Sequence, residues 1–245
     1  MNNLEHNITK VRARIQYAAS QNQRNYENIH LLAVSKTQSA ESVRHAWLLG
    51  LSHFGENYVQ EALEKQKALK DLAIIWHFIG HIQSNKTAAI ASHFDWVHTL
   101  DSEKVATRLS NQRPRSLRPI QCCLQININN ENTKSGIGIE RCEAMASAIK
   151  DLPGINLRGL MVIPDPAQPD NQLQYSFEKT RDTLTHLQSR FPDLQLDTLS
   201  MGMSRDMELA IAAGSTIVRV GTDIFGPRVH ASRPHPETTD NRGLL

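Results

Sequence analysis

The chain has 245 residues, 40% of them hydrophobic and 21% charged, and a formal net charge of +2 at pH 7. These are the proportions of an ordinary globular protein, and a balance so close to neutral excludes the basic surfaces that hold nucleic acid or anionic membranes. No apolar run reaches the roughly 18 residues of a membrane span and no basic segment leads into an apolar stretch at the amino terminus, so a cytoplasmic location is expected.

In chain order, Leu4, Ile8, Val11, Ile15 and Ala18 recur at steps of four and three, drawing one apolar stripe along an amino-terminal helix. Leu31 to Val34 is a short apolar run bounded by polar residues, the pattern of a strand buried on both faces, and it stops at Ser35-Lys36-Thr37. Ser39 can cap the next helix, which turns Val43, Ala46 and Trp47 inward and ends at Gly50. His53 to Gly55 predicts a second strand, followed by a helix with Val59, Ala62, Leu63, Gln66 and Leu69 on one face. The alternation continues with strands over 74–79, 96–100, 120–126, 157–163, 196–199 and 216–220. Between them fall helices over 84–91, over 102–111 with Asp101 as cap, and over 140–150. A long helix shows Phe177, Thr180, Leu184, Leu187 and Phe191, another carries Met207, Ala210, Ile211 and Gly214, and a short turn over 224–226 closes the pattern.

Eight strands alternating with helices over about 200 residues are the count and length of a single (β/α)8 TIM barrel, here with an extra amino-terminal helix. A doubly wound open sheet is the alternative. No linker divides the chain, so residues 1–230 are expected to form one domain, and 231–245 read as a disordered tail from their Pro, His, Thr, Asp and Asn content. Cys122, Cys123 and Cys142 show no metal-ligand spacing and are expected to be reduced core thiols. The 11 histidines read as scattered, and His77 and His81 straddle a strand end, so no metal site is expected.

Barrels place their chemistry at the carboxyl ends of the strands, and Lys36 sits at one of them. A lysine partly buried there loses hydration of its ammonium form and becomes a nucleophile toward aldehydes; the alternative is a solvated loop lysine. After the seventh strand, Ser200 to Asp206 runs into a helix that Ser204 can cap, and after the eighth, Gly221-Thr222 offers a close-approaching backbone and a hydroxyl. Loops after these two strands commonly bind phosphate in barrels, against which stand a plain cap and a plain turn. Arg219, between Val218 and Val220, turns into the interior and needs an acceptor there, either a ligand atom or a carboxylate of an internal salt bridge. Gly80 to Thr87 is similar to the P-loop GxxxxGK[ST], with Asn85 in place of the second glycine. Asn57, Gln83 and Asn85 either line the mouth or are solvated loop positions, and Lys134 is either a second amine over the cavity or a surface lysine. Met161 is expected to supply apolar wall.

AVSKT at 33–37, FGENYVQEALEK at 54–65, WHFIGHIQSNK at 76–86, GLMVIP at 159–164, LSMGMSRD at 199–206 and VRVGTDIFG at 218–226 together resemble the pyridoxal phosphate (PLP) homeostasis protein family. The similarity spans Leu4 to Arg228 with the motifs in family order. It implies the barrel of the alanine racemase amino-terminal domain without that enzyme's second domain, and PLP binding without an established catalytic activity. Residue by residue it implies a Schiff base on Lys36 and a phosphate cradle of Ser204, Gly221 and Thr222. It places Arg219 opposite the pyridine nitrogen and Asn57, His81 and Met201 near the ring or cavity. Asp223 departs from the small residue expected at its position.

A cationic Arg219 opposes a proton on the pyridine nitrogen and weakens the electron sink that carbanion chemistry needs. The tyrosine that completes the racemase's proton relay belongs to the missing domain, and Tyr17, Tyr26, Tyr58 and Tyr175 show no claim to that role. The resemblance therefore implies a monomeric, non-catalytic carrier that buffers PLP, delivers it to apo PLP-dependent enzymes and influences amino-acid and keto-acid balance. The rivals are a PLP-dependent racemase or decarboxylase of small amino acids and a phosphate-ligand binder acting through Gly80 to Thr87.

Overall fold

A computed structural model describes residues 3–128 and 135–227 of the chain. Its strands are β1 (His30–Val34), β2 (His53–Glu56), β3 (Ile75–Phe78), β4 (Trp96–Leu100), β5 (Ile120–Ile126), β6 (Ile155–Val162), β7 (Thr198–Ser200) and β8 (Ile217–Val220). They pair in that order, all parallel, and β1 closes on β8 with Leu31 opposite Val218. That closure rules out the open sheet. The helices are α1 (Asn3–Gln21), α2 (Ala40–Leu48), α3 (Val59–Ala68), α4 (Thr87–His93), α5 (Glu103–Gln112), α6 (Cys142–Ile149), α7 (Asp170–Arg190), α8 (Met207–Ala212) and α9 (Thr222–Phe225).

Because strand side chains alternate, each strand feeds two different interiors. Outward residues such as Phe54, Phe78, Val97, Leu124, Val218 and Val220 join Ala46, Ala62, Ile90, Leu109, Phe177 and Ile211 in one apolar layer between strands and helices. Each large side chain buried there contributes about 1.5–3 kcal/mol. The expected α1 stripe packs into the same layer through Ile8, Val11, Ile15 and Ala18. The axis of the barrel is different. Branched aliphatics usually fill it, whereas here His53, His77, His98, Ser200 and Arg219 meet in one hydrogen-bonded file.

Several expected boundaries move for identifiable reasons. β6 begins at Ile155 rather than Leu157, because Asn156, Arg158 and the register shift at Gly159 interrupt its apolar run. β7 is confined to Thr198–Ser200, the apolar Leu194 and Leu196 belonging to the preceding turn. α5 starts at Glu103 with Ser102 at the cap position, so Asp101 is not the cap. All three cysteines are buried free thiols, and burial pushes Cys123 and Cys142 up to about 12 and Cys122 further. Among the described residues no helix is long and apolar enough to cross a membrane. Lys134 and the segment after Pro227, including the expected tail, lie outside the described residues.

Candidate functional site

Lys36 leaves the end of β1 half-buried, on the side of the strand shared by Leu32 and Val34. Its two neighbours are both fixed. Ser35 Oγ donates to Glu56 Oε1 at 2.6 Å, and Lys65 Nζ, from α3, donates to Ser35 O, Glu56 Oε1 and Glu61 Oε1 at 2.6, 2.7 and 2.6 Å. On the other side Thr37 has a φ of 65°, a left-handed conformation that costs a β-branched residue about 1–3 kcal/mol. It is held by a bond from its N–H to Glu61 Oε1 at 2.5 Å. Burial raises the Glu56 carboxyl, opposed by the Lys65 ammonium, and among the described residues the buried Glu56 Oε2 has no partner. One buried ion pair thus anchors the segment that presents the lysine.

The next two strand ends abut this one. Asn57 follows β2 and keeps a buried Oδ1 that has no partner among the described residues. A Cβ at Gly80, after β3, would lie 2.1 Å from Asn57 O, so only glycine lets these two loops touch. His81 is exposed beside Asp101, whose carboxyl is raised by burial and lowered by the histidine. The P-loop reading fails here. Ser84–Lys86 is a turn of 3-10 helix, and the buried Thr87 spends its hydroxyl on the protein, donating to Ser84 O at 3.0 Å and accepting from Arg108 Nε at 3.2 Å.

Across the rim stand the loops after β7 and β8. Ser204 is not a helix cap: α8 begins at Met207 with Asp206 at the cap position, and Asp206 Oδ1 takes the Met203 N–H at 2.6 Å. Gly202 has a φ of 93° and no room for a Cβ, which would stand 2.6 Å from that of Ala210. Met201 is fully buried in the outer apolar layer, so it backs this loop rather than lining the mouth. Gly221 lies against β1, where a Cβ would meet Val34 O at 3.3 Å, and Thr222 is exposed at the start of α9. Among the described residues, no acceptor takes the backbone N–H of Ser204, Arg205, Thr222 or Asp223. These loops are tied to α1 by Arg14, which sequence reasoning missed. Its guanidinium donates to Glu208 at 2.7 Å, Asp223 at 2.7 Å and Ser204 O at 2.8 Å. Asp223 is therefore engaged by a cation, which answers the departure noted above.

Arg219 is 5% exposed and points into the barrel. Its acceptors are Ser200 O at 2.6 Å, Ser200 Oγ at 2.7 Å and Val162 O at 2.9 Å, and among the described residues it makes no ion pair. Its partners among the described residues are therefore neutral acceptors rather than a carboxylate. Burial lowers its pKa to about 10, still charged at neutral pH, with Asp206 the carboxylate that acts most on it. The histidines thought scattered are gathered: His53, His77 and His98 form a chain that ends on Ser200. The readable signal was their spacing. His30, His53, His77 and His98 stand 23, 24 and 21 residues apart, about one strand-helix unit each, on four consecutive strands.

The rim thus brings together a half-buried amine, unpaired N–H donors beside two hydroxyls, an unpartnered amide oxygen and a buried guanidinium, a set suited to a small ligand with an anionic group and a carbonyl. Among the described residues no metal-binding cluster occurs. Residues 1–229 match the family model described as alanine racemase, N-terminal domain. A curated Pyridoxal phosphate homeostasis protein of Pseudomonas aeruginosa is 51% identical over 228 residues, 93% of this chain and 97% of that one. A solved structure of PipY from Synechococcus elongatus with PLP bound is 38% identical with a TM-score of 0.77, covering 87% of this chain and all of that one. An alanine racemase of Corynebacterium glutamicum shares the fold at 17% identity and a TM-score of 0.69, with this chain covering 63% of it. A family model matched almost end to end and a relative identical at half its positions place this chain in the pyridoxal phosphate homeostasis protein family, built on the alanine racemase amino-terminal barrel.

Proposed function

We propose that this chain binds pyridoxal 5'-phosphate reversibly on Lys36 and acts as a non-catalytic carrier that buffers the cofactor and hands it on. The observation that carries the reading is the meeting, on one barrel rim, of Lys36 with the unpaired N–H groups of Ser204, Arg205, Thr222 and Asp223. The cofactor supplies, when bound, an aldehyde that condenses reversibly with an amine and a ring that withdraws electrons. Lys36 Nζ is the amine, and the Ser204 and Thr222 hydroxyls with the free N–H groups are the donors for the phosphate. Gly221 leaves the approach open. Asn57 supplies an amide with an unsatisfied oxygen, His81 an exposed imidazole at the same mouth, and Met201 the apolar backing.

The charge on Arg219 favours a carrier over a racemase or decarboxylase. A buried guanidinium opposite the ring nitrogen keeps a proton off it, and the arginine's partners are carbonyls and a hydroxyl, none able to take its proton at neutral pH. Tyr17, Tyr58 and Tyr175 are exposed, and Tyr26 lies before β1. Delivery to apo PLP-dependent enzymes, a monomeric state and a cytoplasmic location complete the proposal. The test is to load the protein with PLP and follow three readouts: a yellow absorbance band lost in Lys36→Ala, transfer of PLP to an apo-enzyme, and exchange of the α-proton of amino acids in deuterated water. Colour and transfer without exchange support the carrier. Exchange that disappears in Lys36→Ala makes it an enzyme, and no colour ends both readings.

A further inference from the structure

Four polar side chains run along the barrel axis from Arg219 toward the opposite end. Arg219 Nη1 donates to Ser200 Oγ at 2.7 Å, Ser200 Oγ meets His98 Nδ1 at 2.7 Å, His98 Nε2 meets His77 Nδ1 at 2.8 Å, and His77 Nε2 meets His53 Nδ1 at 2.9 Å. His53 and His77 reach a pocket of about 600 Å³ at the amino-terminal ends of the strands.

The chemistry of its first member orders all the others. A guanidinium can only donate, so Ser200 Oγ must accept from Arg219. Among the described residues the hydroxyl's other contact is His98 Nδ1, so the Ser200 proton goes there and His98 must carry its own proton on Nε2. That proton is directed at His77 Nδ1, which places the next on His77 Nε2, and that one is directed at His53 Nδ1. His53 is left with an outward Nε2–H. Burial keeps the three rings neutral, each pKa lying below the usual value, so each offers one donor and one acceptor. The groups around the outer end are Arg24 and Glu27 before β1, His30 on β1, Arg158 on β6 and Asp197 before β7. Asp206 and Cys123 are those acting on Arg219.

We propose that Ser200 is a positioning residue for Arg219 and that the His98–His77–His53 file couples the placement of Arg219 in the cofactor site to the pocket at the other end of the barrel. An acceptor bound to the outward His53 Nε2–H strengthens every bond in the file and tightens the grip of Ser200 on Arg219. By linkage, a ligand that draws on Arg219 alters the file in return. The inference rests on the PLP reading only for what Arg219 faces.

The experiment is nitrogen-15 NMR of the histidine rings in the full-length protein at neutral pH. Without any cofactor, the expected result is three neutral rings protonated on Nε2. A proton on Nδ1 of any of them, or a charged ring, overturns the order. Ser200→Ala is expected to lose the pattern at His98 and Ser200→Thr to restore it; a pattern unchanged in Ser200→Ala removes Ser200 from the role. Adding PLP, with binding followed separately by absorbance, is expected to shift the His53 signals in the wild type and not in Ser200→Ala. His53 signals unmoved in saturated wild type overturn the coupling. A protein that shows the order but never colours with PLP fails the cofactor reading and also ends the coupling, while the positioning of Arg219 by Ser200 stands on the cofactor-free spectrum.

Discussion

The two ends of this barrel's axis are built on opposite terms. At the carboxyl ends of the strands, among the described residues, donors and acceptors remain unsatisfied: Asn57 Oδ1 has no partner and four backbone N–H groups in the loops after β7 and β8 have no acceptor. Along the axis toward the amino-terminal ends, the polar side chains of the file find one another at 2.7 to 2.9 Å. Unpaired polar groups in a fold cost free energy and persist where a ligand completes them, whereas a satisfied buried network rigidifies what it touches. The open end is thus made to bind, and the closed end to hold the arginine that faces it.

Acid gives the largest effect and acts on the closed end. His53 and His98 are lowered from 6.5 to about 4 and about 3, and His77 also falls well below, all chiefly by burial. The unfolded chain therefore binds more protons than the folded one between pH 6.5 and these lower values. Stability from the file is fully present above pH 6.5 and is lost as the pH falls, with a slope of up to about 1.4 kcal/mol per pH unit for each histidine. Urea unfolding from pH 7.5 to 4.5 measures it, and a flat profile would break the contrast between the two ends.

Lys65→Met comes next, at the open end. It leaves Glu56 buried without its cation, and a loss of about 3–5 kcal/mol is expected by chemical denaturation. Because Lys65 holds Ser35 directly and Thr37 through Glu61, the two residues that flank Lys36, PLP affinity should fall with it. Gly80→Ala follows: its Cβ must displace Asn57 O, at an overpacking cost of about 1–3 kcal/mol, with a drop in PLP affinity that titration by absorbance reads. Arg14→Ala has the smallest effect on stability, about 1 kcal/mol for half-exposed ion pairs. It sharpens the comparison all the same, since it releases the loops after β7 and β8 from α1: PLP affinity should fall several-fold while the histidine NMR signals stay unchanged.

What the sequence revealed follows from where each residue points. Trp96–Leu100 and Ile120–Ile126 are strands at the expected residues because apolar side chains recur on buried faces of both, interrupted only by His98 and Thr99 in the first and by Gln121 and Gln125 in the second. β6 and β7 are misjudged because Arg158, Gly159 and Ser200 serve the axis or a bulge rather than the apolar layer. That Lys36, Gly221 and Thr222 follow the ends of strands was legible, but Ser204 was misassigned as a cap since a serine before a helix fits either role. The file was missed although its histidines recur about one strand-helix unit apart, because its contacts join residues of β2, β3, β4 and β7 and only the closed barrel brings them together. Arg14 was invisible for the same reason, as Glu208 and Asp223 lie some two hundred residues along the chain.

The most direct test of the central claim is to load the full-length protein with PLP, fix the link with borohydride, digest it and map the pyridoxyl group by mass spectrometry. The account predicts the adduct on Lys36, one per chain, and none in Lys36→Ala. An adduct on Lys65, Lys134 or any other lysine in place of Lys36, or none at all, would contradict it.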